Sequence, residues 1–194
     1  CQLCAPLNNP QDWSPAPGTT VCNAANSCHG PAQCDVNGAC PAPMFFQEPS
    51  EPNDGAAFAA YLGNMDDCDT SALTINGYLA GNADQDFYAV DVTDAVSCLM
   101  SGAFQVDTGG VTATACLELR CVSGTLDLEC LDGSTPTTGS GVARCCKTGS
   151  NPQFTLSHNC SGTVAMPDDV RVVASLSGAD LLAECAVYSA VLGF

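Results

Sequence analysis

Residues 125–130 have the sequence Thr-Leu-Asp-Leu-Glu-Cys, and the alternation within them indicates the fold class of the chain. In an extended backbone, Leu126, Leu128 and Cys130 lie on one face, and the two acids between them lie on the other. A period of about two residues is typical of a β-strand with one buried and one solvated face. The stretch therefore predicts a strand at the surface of a sheet.

Comparable runs occur after residue 47 and predict a protein made almost entirely of strands. Clusters of Gly, Asn, Asp, Ser and Pro separate the runs and indicate turns. Only residues 55–62 (GAAFAAYL) have the composition of a short helix, and the last run is apolar on both faces, which predicts a central or covered strand. Many short strands predict an all-β fold, an antiparallel β-sandwich or jelly roll. The predicted strands lie near 73–79, 87–92, 96–104, 111–122, 125–131, 141–147, 152–157, 161–166, 169–176 and 185–193.

The composition excludes several classes of partner. The chain has 194 residues, with 4 Lys and Arg against 21 Asp and Glu, which gives a formal net charge of -17. Such an acidic surface repels the phosphates of nucleic acids and the headgroups of anionic membranes, so neither is expected as a partner. No apolar run reaches the length of about 18 residues that a membrane span needs.

The 15 cysteines predict a disulfide-rich protein of an oxidising compartment, because cytosolic thiols are kept reduced. The chain starts with neither Met nor a signal region, so we expect a processed product that is extracellular or at the cell surface. We expect disulfides throughout, with one cysteine unpaired or intermolecular. The cysteines are Cys1, Cys4, Cys22, Cys28, Cys34, Cys40, Cys68, Cys98, Cys116, Cys121, Cys130, Cys145, Cys146, Cys160 and Cys185.

The odd number of cysteines leaves three alternatives for the one that cannot pair within the chain. Cys1 is the lipidated first residue of a bacterial lipoprotein, or one cysteine bonds to a neighbouring subunit, or one is a buried free thiol. Cys145 and Cys146 are adjacent, and a disulfide between neighbours closes a strained ring. We therefore expect these two to have different partners.

Composition also divides the chain into a tail, 1–47, and a β domain, 48–194. The tail contains six cysteines, seven of the twelve prolines and only two acids, and it shows no regular periodicity. A segment of this kind cannot bury a core of its own, so it needs disulfides or a docking surface.

Two features of the tail bear on its chemistry. Cys1 and Cys4 form a C-x-x-C pair and His29 follows Cys28, but no second C-x-x-C follows and the compartment favours disulfides over zinc. Residues 28–40 resemble the short Cys-rich repeats (C-x-G-P-x-x-C-D-x-x-G-x-C) of secreted bacterial surface proteins.

The β domain carries a series of motifs. They are Glu-Pro-Asn-Asp at 51–54, Ile-Asn-Gly-Tyr-Leu at 75–79, Asp-Gln-Asp-Phe-Tyr at 84–88, Thr-Leu-Asp-Leu at 125–128 and Val-Tyr-Ser-Ala at 187–190. The series resembles the bacterial pre-peptidase C-terminal (PPC) domain. That resemblance implies a small β-sandwich appended to secreted proteins, including collagenases, in which related modules bind calcium.

The polar residues in the motifs at 51–54 and 84–88 are candidate calcium ligands in their own right. Calcium takes roughly six to eight oxygen ligands, several of them carboxylates. Asp84 and Asp86 lie on the same side of an extended segment, and Glu51, Asn53 and Asp54 are held close by sequence. We expect these five residues to form a calcium site; the alternative is that they are solvated turn acids. For the second cluster, Asp66, Asp67 and Asp69, a solvated loop is the favoured interpretation and a contribution to calcium binding the alternative.

Hydroxyl and amide side chains in two stretches are candidate glycan acceptors. The loop 134–140 contains Thr135, Thr137 and Thr138, and Asn159 begins an Asn-Cys-Ser acceptor pattern. Unmodified loops are the alternative in both places.

The sequence contains no convincing catalytic group, so we do not expect an enzyme. His158 follows a serine, but no strained nucleophile turn accompanies it. His29 adjoins Cys28, which cannot act as a nucleophile once oxidised. Carboxylate pairs for glycoside hydrolysis usually occur with sugar-stacking aromatics, and the single Trp, Trp13, lies in the tail.

The features together predict a secreted structural protein, stabilised by calcium and disulfides. Its tail would join copies of the same chain into an extracellular filament or surface layer. The alternative is an accessory module that binds an extracellular polysaccharide or protein polymer; a lipid anchor on Cys1 would make it a surface lipoprotein.

Overall fold

The computed structural model of the chain describes most of the β domain and short parts of the tail. The chain divides into two compact units, Cys1–Gln47 and Glu48–Phe194. Within the described ranges every regular element is a strand, and no helix is long and apolar enough to cross a membrane. The described residues are 2–4, 13–15, 21–23, 28, 31–35, 39–41, 51–67, 71–81, 83–94, 101–132, 136–139, 142–161, 169–178 and 185–194.

The first unit consists of short paired strands held by disulfides. Cys22 and Cys40 are bonded, with their Cα atoms 5.8 Å apart. Cys28 and Cys34 are buried and also disulfide-bonded. Isolated strand pairs of this length are marginal in water, so the bridges supply the constraint that a small core cannot. The antiparallel pairs are β1 (Gln2–Cys4) with β2 (Trp13–Pro15) and β3 (Val21–Asn23) with β4 (Ala32–Gln33).

The second unit is a β-sandwich of two packed sheets, which confirms the predicted fold class. One sheet is antiparallel and has the strand order β10-β13-β8-β15-β6. The other has the order β11-β12-β9-β14-β7-β5 and is mixed, because β5 runs parallel to β7. The strands are β5 (Ala60–Asp66), β6 (Leu73–Leu79), β7 (Gln85–Thr93), β8 (Ser101–Asp107), β9 (Thr112–Cys121), β10 (Thr125–Cys130), β11 (Thr137–Gly139), β12 (Val142–Ser150), β13 (Gln153–Ser161), β14 (Val170–Gly178) and β15 (Ala186–Gly193).

The core lies between the inner faces of these sheets. The antiparallel sheet contributes Phe104, Leu156 and Tyr188, and the mixed sheet contributes Leu117 and Leu119, all almost fully buried. Each such side chain stabilises the fold by about 1.5–3 kcal/mol relative to exposure. Because side chains alternate along each strand, each sheet has one apolar face. Packing the two apolar faces against each other removes both from water, which is the physical reason for two sheets rather than one.

Two disulfides join the sheets across the core. Cys121 of β9 bonds to Cys160 of β13, and Cys130 of β10 bonds to Cys145 of β12, with Cα separations of 5.7 Å in both pairs. Cys185 is also disulfide-bonded. Disulfides on this scale indicate an oxidising environment.

A third disulfide lies on the outer face of the mixed sheet. Cys116 and Cys146 are register partners on the neighbouring strands β9 and β12, with a Cα separation of 4.1 Å. Cys145, the neighbour of Cys146, points the opposite way into the core. The prediction that these two adjacent cysteines have different partners is therefore confirmed.

One predicted element was wrong, and two predicted strands are described only in part. Residues 55–62 do not form the predicted helix; they contain a turn and the start of β5. So short a run cannot offset the cost of helix nucleation, and pairing with β7 decides its conformation. The strand predicted near 96–104 is described only from Ser101, and most of the one predicted at 161–166 falls outside the described residues.

The last strand is central, as predicted. β15 lies between β8 and β6 in the antiparallel sheet. Its inward residues are buried, whereas Val187 and Val191 on its outer face are 48% and 39% exposed. Apolar residues on that face therefore do not mark a covered surface within this structure.

Candidate metal centre

Three of the five predicted metal ligands converge beside the start of β7. Oxygen atoms of Glu51, Asp54 and Asp84 all lie within 4.8 Å of one another. The backbone N–H of Phe87 donates to the carbonyl of Asn53 at 3.0 Å, and this bond ties the segment before β5 to β7. The structure thus brings together two acidic groups separated by about thirty residues of sequence.

Backbone donors orient two of these carboxylates. The N–H of Asn53 donates to Glu51 Oε2 at 3.1 Å. The N–H of Ala80 donates to Asp84 Oδ2, and the N–H of Asp84 donates in turn to the carbonyl of Gly81 at 3.4 Å. Gly81 has a φ of 103°, a conformation that favours glycine, so the turn between β6 and β7 places Asp84.

The electrostatics of the cluster favour a cation. Burial raises the pKa of Asp84, the hydrogen bond from Ala80 lowers it, and the charge of Asp54 raises it again. A side-chain interaction with Asp54 raises the pKa of Asp84 further. Two carboxyl groups this close oppose each other's ionisation, and a bound cation would relieve that repulsion.

Asn53, which lies between Glu51 and Asp54 in the sequence, has a buried side-chain amide. The residue is 0% exposed, and within the described part of the chain neither Oδ1 nor Nδ2 of its side chain has a hydrogen-bond partner. An unsatisfied buried polar group costs about 1–3 kcal/mol. A carbonyl oxygen in this state is the kind of ligand that calcium takes, so the residue type fits the predicted role.

Asp86, the fifth predicted ligand, is not in the carboxylate group of the metal centre. It lies on the inner face of β7, 0% exposed, where Tyr188 donates to its Oδ2 at 2.7 Å. The hydroxyls of Tyr188 and Tyr88 are 2.6 Å apart. Because the single proton of Tyr188 is directed to Asp86, Tyr88 is the donor to Tyr188.

This Asp86–Tyr188–Tyr88 chain is a core polar network that the sequence did not reveal. Burial, followed by the negative charge of Asp86, raises the pKa of Tyr188 and keeps its phenol protonated as a donor. The only signal in the sequence is parity: Asp86 shares the side of Tyr88 and Val90 on β7.

The second acidic cluster does not form a comparable group among the described residues. Asp66 is exposed at the end of β5, and Asp67 is buried with its N–H donating to Thr93 at 3.1 Å. Asp69 lies outside the described residues.

The remaining predicted sites are only partly described. Asn159 is exposed on β13 opposite Asp127, and the next residue, Cys160, is bonded to Cys121. Thr137 and Thr138 lie in β11, but their side chains, like all of Thr135, fall outside the description, as do Cys1, Cys68, Cys98 and the side chain of Cys4.

His158 faces the core. Its ring is 6% exposed and meets the ring of Phe194 edge-on, with centroids 6.0 Å apart. Ser157 precedes it on the same strand and therefore points to the opposite face. The two side chains are not arranged as a nucleophile and its base.

The outer face of the mixed sheet carries two further features. Arg171 of β14 binds both carboxylate oxygens of Asp91 at 2.9 and 3.2 Å and lies 5.6 Å from the ring centre of Tyr61. Farther along the sheet is an open groove with a volume of about 270 Å³. Residues that line it include Phe87, Thr114, Cys116, Arg144, Cys146 and Ser175.

A scan against models of protein families and a search of curated proteins gave no match to this chain. The resemblance to PPC domains remains a prediction from its motifs.

Proposed function

We propose that this chain is a non-catalytic extracellular structural protein. Its sandwich binds a calcium ion at Glu51, Asp54 and Asp84, and its first unit joins copies of the chain into a filament or surface layer. The observation that carries the proposal is the convergence of the three carboxylates within 4.8 Å.

The donor set supports calcium over softer metals. All three groups are hard carboxylate oxygens, and no histidine or cysteine belongs to the group found among the described residues. Two oxygens bound to one calcium ion at about 2.4 Å can be at most about 4.8 Å apart. The side-chain oxygen of Asn53, buried and without a hydrogen-bond partner among the described residues, is a candidate for a further ligand of the same character.

Thermal unfolding in calcium and in chelator tests the site. At free calcium about 100 times the Kd, binding stabilises the fold by about 2.7 kcal/mol, which for a chain of this size raises Tm by roughly 5–10 °C. Magnesium at equal ionic strength is the control, and we expect a smaller rise because it demands stricter geometry. An identical Tm in calcium and in chelator would contradict the proposal.

The character of the first unit supports the assembly role. It has its own bridge, Cys22–Cys40, and forms a compact unit within Cys1–Gln47. The whole segment contains only two of the 21 acids, so it can approach another acidic sandwich with little repulsion. Val21 on β3 is 52% exposed and is a candidate contact residue.

Electron microscopy of the full-length chain in calcium tests this role. We expect ordered polymers that Val21→Asp shortens or abolishes, because it places a charge in an apolar contact. Val122→Asp on the sandwich is the matched control, since Val122 is 71% exposed. Monodisperse monomers at high concentration in calcium would contradict assembly.

The outer groove favours a second candidate, a module that binds an extracellular polymer. It crosses β7, β14, β9 and β12 and offers the ring of Phe87 together with the hydroxyls of Thr114 and Ser175. A ring and hydroxyls suit a polysaccharide, and the groove also contains one acid and one base, Glu118 and Arg144. Depletion assays with insoluble polysaccharides and with collagen, comparing wild type with Phe87→Ala, test it. Binding that Phe87→Ala leaves unchanged would exclude the groove as the site.

A further inference from the structure

The sandwich has four edge strands among its described residues. They are β10 and β6 in the antiparallel sheet and β11 and β5 in the mixed sheet. An edge strand presents unpaired N–H and C=O groups on one side, which is a template for another chain. Natural sheets protect their edges with charges, bulges, prolines or very short strands.

Three of the four edges have such protection. β10 carries the exposed acids Asp127 and Glu129. β11 has only three residues. β5 has a register shift between Tyr61 and Gly63 and ends at the exposed Asp66.

β6 has none of these devices. Its seven residues, LTINGYL, include no charge and no proline. It pairs with β15 in an unbroken antiparallel register from Leu73 opposite Leu192 to Leu79 opposite Ala186. Within the described residues no strand pairs with its other side. Thr74 and Asn76 are exposed on its outer face.

The charge distribution identifies the partner. On the outer face, the neighbours of β6 on β15 are Val187, Ser189 and Val191, so both edge and adjoining face are uncharged. The whole chain carries a formal net charge of -17. Another copy of an acidic chain meets like-charge repulsion on most of its surface and much less here.

We propose that β6 pairs antiparallel with β6 of a second copy about a two-fold axis, joining two five-stranded sheets into one continuous sheet. The register that pairs all seven residues puts Asn76 opposite Asn76 of the second copy. It also puts Thr74 opposite Tyr78 on the outer face and Leu73 opposite Leu79 on the inner face. This pairing is isologous and closes as a dimer. It does not depend on the assembly role of the first unit. Calcium should favour it, because Asp84 of the metal centre accepts from Ala80, the residue that follows β6.

The two-fold axis makes Asn76 a sensitive test position. Asn76→Asp is isosteric and exposed, and it places two carboxylates directly opposite each other across the new strand pair. At protein concentrations below those at which polymers form, we expect sedimentation velocity to show a dimer for the wild type and a roughly tenfold or greater weakening for Asn76→Asp. Asn76→Lys weakens the dimer for the same reason. A mixture of the Asp and Lys variants restores it, because the opposed charges then attract.

The control is Gln105→Glu on β8, an exposed isosteric change on the same face but two strands from the edge. We expect it to leave the dimer intact. Equal weakening by Gln105→Glu would show that the copies stack through their sheet faces, which would overturn edge pairing. A monomeric wild type would also overturn it, and so would a failure of the Asp and Lys variants to associate with each other. Thermal unfolding of each variant checks that it is folded.

The measurement is repeated in the Val21→Asp background to separate this proposal from assembly through the first unit. Loss of polymers with retention of the dimer supports both contacts and shows that they are separate, whereas loss of the dimer together with the polymers would overturn β6 pairing. Polymers that persist when Asn76→Asp removes the dimer also support two separate contacts.

Discussion

The carboxyl group of Asp84 has opposite effects on stability with and without calcium. Its pKa in the folded state is raised, chiefly by burial and then by Asp54. A raised pKa means that the unfolded state ionises first as pH rises, so the metal-free fold loses stability from the unfolded pKa upwards until the folded pKa is passed. Above both values the loss is complete.

Asp84→Asn should therefore raise the Tm of the metal-free protein at neutral pH and abolish the rise caused by calcium. The amide removes the charge that opposes Asp54 but still accepts from Ala80. Differential scanning calorimetry in chelator and in calcium measures both effects. Asp127→Asn, a change at an exposed acid of β10, is the control and should alter neither. A lower metal-free Tm for Asp84→Asn would contradict the electrostatic argument.

The phenol group of Tyr188 takes part in two hydrogen bonds in the core. It donates to the carboxyl of Asp86 and accepts from Tyr88, and both tyrosines are buried. Tyr188→Phe should cost about 1.5–3 kcal/mol, because a hydrogen bond to a charged group is lost in the core. Tyr88→Phe should cost about 1 kcal/mol. Urea unfolding at unchanged m measures both, and a larger loss for Tyr88→Phe would reverse the assigned direction of the network.

The two disulfides that involve β12 differ in which strands they join and in whether they lie in the core. Cys130–Cys145 joins β10 to β12 through the core, with the two residues 4% and 0% exposed. Cys116–Cys146 links two strands that are already hydrogen-bonded neighbours and lies on the outer face. The first therefore contributes packing between sheets as well as a chain constraint.

Replacing both members of a bridge by alanine compares these contributions without leaving a free thiol. Loop closure alone assigns about 3 kcal/mol to the 130–145 bridge, with its sequence separation of 15, and slightly more to the 116–146 bridge, with its separation of 30. Because the core bridge also leaves a cavity, we expect its removal to cost more. Denaturant unfolding of the two double variants decides, and the reverse order would show that loop entropy dominates.

The strands show which parts of the fold and the site could be predicted from the sequence. Residues 125–130 were correctly predicted because their two faces differ in polarity. The helix predicted at 55–62 was wrong because an Ala-rich run has no such difference in polarity between its faces. Its conformation depends instead on pairing with β7, which is distant in sequence. The acids Glu51, Asp54 and Asp84 were chosen for their chemistry and do converge. The inward role of Asp86 was missed because its partner, Tyr188, is 102 residues away.

The distribution of charge over the whole molecule is strongly unbalanced. The chain has only 4 basic side chains against 21 acidic ones. Among the described residues, the ion pairs Arg120–Glu118, Lys147–Asp132 and Arg171–Asp91 involve partly exposed side chains. Such pairs contribute about 0–1 kcal/mol each, too little to offset the repulsion among the remaining acids.

Salt should therefore stabilise the metal-free protein at neutral pH. Raising sodium chloride from about 10 mM to about 150 mM shortens the screening length from about 30 Å to about 8 Å, which weakens repulsion across the sandwich. We expect Tm to rise by a few degrees in chelator and by less in calcium, where the ion already neutralises part of the acidic cluster. Near pH 4, close to the isoelectric point of about 4.1, the same change in salt should have little effect, because net repulsion has vanished. A salt response of equal size at both pH values would show that screening of net charge is not its cause.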